Sequence, residues 1–333
     1  MRLIQFRATL CLVVFAFTLH ANQEVHANIG FGVDNAQALR DFLIARENAL
    51  YDQLGADSND NAPFGRPMLA AYGEWIDVDA SRSAKSMDSE SVSLWLESTY
   101  LVFFHSLNAT IFKQGKDLFR ELESRDAAEL IDIRRIVEMA IGAREFAFAN
   151  QLINTHSELN IDTLPAIEYD EHFDEDLPAV LHVNGNNSSL IASNITFDNG
   201  TLRLLFIFHP HCNFSRKAAK ELQSINHFDC FSSRHGDWLA PMHFQDESRA
   251  ISSWNTANPE SLVKLVYNPT AWEPIYFTET PTFYLLEGDK VLSSVHGWRP
   301  DSTPAAVSDM LATFLSQSEV EDCQPGSEGA SKQ

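Results

Sequence analysis

Basic side chains are scarce in this chain. Its 333 residues carry 24 Lys and Arg against 46 Asp and Glu, a formal net charge of −22. Nucleic-acid backbones and anionic membrane surfaces are gripped by basic faces, so this balance tells against both partners. Cysteine is scarcer still, at four residues. Cys11 lies in an apolar N-terminal run, and Cys212, Cys230 and Cys323 follow far downstream. Three cysteines in an oxidising compartment leave one thiol free or paired between molecules. Beyond the N-terminus no run is long and apolar enough to span a bilayer, and no repeat of fixed period marks a solenoid. The acidic stretch Glu168, Asp170, Glu171, Asp174, Glu175 and Asp176 lacks the glycine turn and ordered oxygen spacing of a calcium loop, so no metal is assigned to it.

A hydrophobic content of 44 % is enough for a real core, and the length is comfortable for two domains. Arg2 and Arg7 precede the apolar run Leu10 to Leu19, and small-residue cleavage options follow at Leu19-His20-Ala21 and Val25-His26-Ala27. This is a secretory signal pattern over residues 1–27, implying an exported protein, periplasmic or secreted. Cleavage removes Cys11; left uncleaved, the segment would anchor the chain to a membrane. Asn108, Asn187, Asn194 and Asn199 begin glycosylation triplets, which matter only in a eukaryotic secretory pathway.

Residues 28–165 read as an all-α helical domain. Asp34 can cap a helix with Ala38, Leu39, Phe42, Leu43 and Leu50 on one face, and Val92, Leu96, Tyr100, Phe103 and Phe104 mark a strongly apolar one. Ile133, Ile136, Val137 and Ile141 mark another. Glu97, Glu121, Glu129 and Glu138 read as solvated helix faces. The acidic residues 166–177 read as a linker. From 178 the pattern turns β. Ala179 to Val183 and Leu190 to Ala192 flank Asn184-Gly185, a hairpin signal. A run from Leu202 to Phe208, a helix after Cys212, a strand around Trp238 to Phe244 and a helical stretch from Ser248 to Tyr267 come next. A strand after Pro281, another around Val291 to Val295, a helix from Ala305 to Leu315 and a tail 319–333 complete the order.

The chemistry concentrates at Leu204-Leu205-Phe206-Ile207-Phe208-His209-Pro210-His211-Cys212-Asn213-Phe214-Ser215. An apolar strand ends and a thiol stands at the start of a helix, where backbone N–H groups and the helix dipole favour the thiolate. Later, Thr280-Pro281 opens a strand pair. The order and spacing of these motifs over residues 178–318 resemble the thioredoxin superfamily. The leading β residues look more like its TlpA-like (exported) or peroxiredoxin-like branches than minimal thioredoxin. The implied fold class is an α/β thioredoxin-like domain preceded by the all-α helical domain.

That resemblance makes Cys212 the nucleophile and puts Ser215 in the place of the resolving cysteine. It makes Pro281 the cis-proline beside the thiol, and Thr280 the residue whose backbone meets an extended substrate. Two departures follow. A serine hydroxyl cannot expel a mixed disulfide as a thiol does, and the family's buried acid six residues before the cysteine is Phe206 here. The arrangement of helices in the fold also implies a structural disulfide Cys230–Cys323, leaving Cys212 free. His211, when protonated, would lower the Cys212 pKa by proximity. The reading implies monothiol exchange with thiols or disulfides of exported client proteins, completed by an external low-molecular-weight or protein thiol, with no cofactor. A non-catalytic docking module is the alternative. A third reading is a metal chaperone using His209, His211 and Cys212, with a further ligand borrowed from His235 or His243. A peroxidatic site is disfavoured, because Leu205 and His209 stand where that pattern needs proline and threonine.

Overall fold

A computed structural model describes residues 33–56, 64–76, 83–183, 189–198, 200–223, 228, 236–241, 247–277, 279–299 and 302–317. The expected signal segment 1–27, Cys230, Cys323, His235, His243 and the tail 319–333 lie outside the described residues, and the expected Cys230–Cys323 pairing lies there with them. The chain divides into two compact units. The first comprises the residues up to His105 with Lys113–Asp132, and the second comprises Ser106–Phe112 and the chain from Ile133 onward.

The first unit is helical, built from α1 (Val33–Ala56), α2 (Gly65–Gly73), α3 (Ser89–Ser106) and most of α4 (Ala109–Ser124). The 3.6-residue spacing puts Leu39, Leu43 and Leu50 of α1 in its core, with Trp95, Leu96, Phe103 and Phe119. Among the polar groups buried with them is the Tyr72 hydroxyl, which has hydrogen-bond partners on both sides. It lies 2.9 Å from the Trp95 Nε1–H that donates to it and 3.0 Å from Thr99 Oγ1. Burial pushes its phenol up to about 12, although those two bonds oppose the rise, so it stays neutral.

The second unit contains α5 (Leu130–Gly142) from Ile133 onward, α6 (Phe146–Thr155) and one eight-stranded sheet. Its strands are β1 (Ala166–Tyr169), β2 (Ala179–Val183), β3 (Ser189–Asn194), β4 (Leu202–Ile207), β5 (Gly236–Ala240), β6 (Val263–Val266), β7 (Thr282–Glu287) and β8 (Lys290–His296). The helices α7 (Asn213–Leu222), α8 (Ser248–Ala257) and α9 (Thr303–Gln317) are interleaved with the strands. The strand order is β1-β3-β2-β6-β5-β4-β7-β8, with β4, β5 and β6 parallel to one another and β7 antiparallel to β4.

The apolar run of β4 lacks polar alternation because the strand is buried on both faces. Leu205 and Ile207 join Val180, Leu239, Tyr284 and Leu286 in a core on one face. Phe206 stacks on Phe283 on the other, with centroids 4.5 Å apart and planes at 12°, and lies 4.1 Å from the Trp238 ring.

Three segments depart from the expected organisation. The acidic segment 166–177 is not simply a linker: Ala166–Tyr169 pairs in parallel with β3 as an edge strand. Edge pairing uses the backbone and tolerates charged side chains. Tyr169, Phe173 and Tyr267 pack their rings together, the latter two 5.0 Å apart, and hold the segment to the sheet. The helical stretch expected to reach Tyr267 ends at Ala257, where Pro259 cannot continue it, and β6 follows. Lastly, the helical residues from Ile133 onward belong to the compact unit that holds the sheet. Arg144, buried and with φ of 62°, donates to the carbonyls of Ile141 at 2.8 Å and of Val266 in β6 at 2.5 Å, bonding this turn directly to the sheet.

Phe206 is 1 % exposed and touches three aromatic rings, so Phe206→Ala should leave a cavity costing about 3–5 kcal/mol. Urea unfolding followed at the sheet's tryptophans measures this, and a loss under about 1 kcal/mol would mean that the stack carries no such weight.

Candidate active-site thiol

The end of β4 fixes the site. Phe208 N–H donates to the Leu239 carbonyl at 2.8 Å, the last tie to β5 before the chain turns. Cys212 N–H donates to the His209 carbonyl at 3.0 Å and closes that turn, and the Cys212 carbonyl accepts from Arg216 N–H as the first helical bond of α7. Cys212 is therefore the N-cap residue, with extended backbone at φ −77° and ψ 118°. Its side chain stands where the unpaired N–H groups of a helix start are concentrated.

The register of the sheet brings the second half of the site. Ile207 of β4 lies opposite Thr282 of β7, so the residues just before β7 extend past the end of β4. Thr280–Pro281 is a cis peptide there, and Cys212 Sγ lies 3.3 Å from the Thr280 carbonyl oxygen. Cys212, Ser215, Thr280 and Pro281 are thus gathered at one point.

Cys212 is partly exposed, and its thiol is free. Burial by itself would raise the thiol pKa. Hydrogen bonding from the Thr280 side chain, the Ser215 N–H and hydroxyl and the Phe214 N–H outweighs it, and the thiol ionises below its ordinary value. The Thr280 carbonyl contact favours the protonated thiol, so ionisation exchanges that acceptor for the donors around it. Ser215 is fully buried, and its hydroxyl accepts from His209 N–H at 3.4 Å, leaving its own proton for the sulfur.

His211 points elsewhere. Its ring is 70 % exposed and lies 3.8 Å from Glu247 Oε2, while His209 Nε2 lies 3.4 Å from Oε1 of the same carboxylate. His211 N–H donates to His209 Nδ1 at 3.2 Å, which leaves Nε2 as the protonated nitrogen facing Glu247. Glu247, just ahead of α8, was not singled out in the sequence. An acid before a helix is ordinary dipole complementarity, and that hid its second use as a clamp on the turn before Cys212. Arg216 donates to Asn213 Oδ1, and Lys217 lies 3.8 Å from Glu221, so both cations are engaged along α7. Glu279 was also missed; its carboxylate stands 3.8 Å from His296 Nδ1 beside the Thr280–Pro281 turn. Burial lowers the His296 pKa and Glu279 opposes the shift. Among the described residues no group of three His, Cys, Asp or Glu side chains is placed to hold a metal ion. Phe206, six residues before Cys212, is held in its aromatic stack and offers no proton acceptor at that position.

A strand ending in a thiol-capped helix, two further parallel strands, and an antiparallel pair opened by a cis-proline define an α/β thioredoxin-like fold, here preceded by helices. No protein-family model matches the chain, and no curated protein matches it in sequence. Among solved structures it is similar to a thioredoxin-like protein from Bacteroides caccae, at 11 % identity over 78 % of this chain and 87 % of that one, with a TM-score of 0.29. It is also similar to StoA from Bacillus subtilis, at 15 % identity over 41 % of this chain and 98 % of that one, with a TM-score of 0.27.

Ser215→Ala removes a donor to the sulfur and keeps the backbone N–H. The thiolate absorbance of Cys212, recorded against pH, should shift to higher pH in this variant. An unchanged titration would show that the hydroxyl does not serve the thiolate.

Proposed function

We propose that the protein carries out monothiol thiol–disulfide exchange through Cys212. The carrying observation is the partly exposed Sγ at the N-cap of α7, 3.3 Å from the Thr280 carbonyl and held below its ordinary pKa by Thr280, Ser215 and Phe214. The Cys212 thiolate attacks one sulfur of a client disulfide, forming a mixed disulfide and releasing the other sulfur as a thiolate. Ser215 has no thiol with which to displace the mixed disulfide, so an external low-molecular-weight or protein thiol attacks the client sulfur of that disulfide. That step regenerates the Cys212 thiolate and leaves the external thiol disulfide-bonded to the client. An extended client segment runs past Thr280 and Pro281, and the exposed Phe214 beside the thiol offers it an apolar contact. His211 is held at the turn by Glu247.

The N-terminal signal pattern supports an exported setting, periplasmic or secreted and within a TlpA-like branch, with exported proteins as clients. No described helix is long and apolar enough to cross a membrane. Ser215 in place of a thiol is also what a docking module without chemistry would show, and it keeps that second reading open to the same test.

The test incubates the reduced protein with a disulfide-linked peptide pair and follows adducts by intact mass. An adduct on Cys212 should accumulate and persist until an external thiol is added. Ser215→Cys, which supplies an internal thiol, should release the client without one. Absence of any Cys212 adduct would overturn the exchange reading in favour of the docking module.

A further inference from the structure

A groove of about 930 Å³ opens beside the thiol, on the side formed by Pro210 and His211 rather than by Thr280 and Pro281. Its walls come from α5, the segment after α6, the start of α7 and the length of α8, all within the second unit. Three of its lining side chains are arginines, Arg134, Arg216 and Arg249, against two carboxylates, Glu138 and Asp162. In the whole chain acids outnumber bases 46 to 24, so the groove inverts the charge balance of the protein.

We propose that this groove binds an acidic stretch of the client polypeptide next to the disulfide that Cys212 attacks. This rests on the exchange reading of Cys212 and adds the substrate class to it. Arg216 lies one helical turn after Cys212 and lines the groove while also donating to Asn213 Oδ1. Arg249 is paired with Asp162 at 3.0 Å, but the two side chains are 74 % and 75 % exposed, so the pair is weak and an incoming carboxylate can replace Asp162. Arg134 spends one nitrogen on the Leu159 carbonyl at 3.1 Å and keeps its remaining donors for a ligand.

Length selects a peptide over a small acid. Groove-lining residues of α8 run from Arg249 to Ala257, which at 1.5 Å per residue is about 12 Å of wall, with Asn258 just beyond it. An extended chain covers that with about four residues. The net charge of −22 does not forbid an acidic ligand. At physiological salt the Debye length is about 8 Å, so charges across the molecule are screened while arginines in contact act at full strength.

The test measures binding rather than chemistry, so that it stands whether or not exchange occurs. The full chain with Cys212→Ser is titrated with fluorescent pentapeptides in which S-methylcysteine is flanked by aspartates or by lysines. The aspartate peptide should bind at least about tenfold more tightly, equivalent to about 1.4 kcal/mol. The double charge reversal Arg134→Glu with Arg249→Glu should invert that preference, with urea unfolding checking that the variant is folded. Reversing Lys85 and Lys290 instead, both exposed and outside the groove lining, changes the net charge equally and should leave the preference intact. Equal binding of both peptides, or a preference that survives the groove reversal, overturns the proposal. Glutarate binding as tightly as the aspartate peptide overturns the peptide as occupant. Failure of exchange with a peptide that does bind would fall on the Cys212 chemistry alone.

Discussion

The hydrogen bonds that converge on the Cys212 sulfur set what the rest of the unit must supply. Two donors come from the first turn of α7, one is the Ser215 hydroxyl, and the Thr280 side chain arrives from just ahead of the neighbouring strand β7. They act together only if the ends of β4 and β7 keep a fixed register, which the Ile207–Thr282 pairing provides. The aromatic stack of Phe206, Phe283 and Trp238 locks these strands on one face, and the cluster around Leu205 and Ile207 locks them on the other. A core with no polar alternation along β4 is the physical condition for a thiol held to that accuracy.

The same stack carries a chemical consequence. The Phe206 ring, six residues before Cys212, offers no proton acceptor at that position, and Ser215 offers no thiol at its own. Both losses fall on resolution of a mixed disulfide rather than on its formation. Attack needs an ionised sulfur and access; Cys212 has donors for the first and partial exposure for the second. The residues around the site are therefore consistent with one half of an exchange cycle, with the other half left to a separate thiol. Glu247 adds a further element by holding His209 and His211 at the preceding turn, so the turn is fixed by side-chain charge as well as by its backbone bonds.

Much of this was legible in the sequence because it rests on local pattern. The apolar run into Cys212, the helical spacing of Ala218, Ala219 and Leu222, and Thr280-Pro281 ahead of a β pattern each encode one element. Their placement in the fold follows from chain order. What was not legible depends on partners distant in sequence. The acidic residues 166–177 concealed an edge strand because backbone pairing leaves no apolar signature, and the rings of Tyr169 and Phe173 were outweighed by the charge around them. Pro259 did mark the end of α8, but the helical reading ran through it and missed β6. The bond of Arg144 to the Val266 carbonyl, one tie between the helices after Ile133 and the sheet of the same unit, has no local signal at all. Neither has the groove, whose arginines come from three separate helices.

The most direct measurement of the central claim is the pH dependence of iodoacetamide alkylation at Cys212 in the full chain, with Cys212→Ser defining the contribution of the other cysteines. The account predicts a Cys212-specific rate that is half-maximal below the free-cysteine value of roughly 8.5. A half-point at or above that value, or no Cys212-specific reaction at any pH, would contradict it.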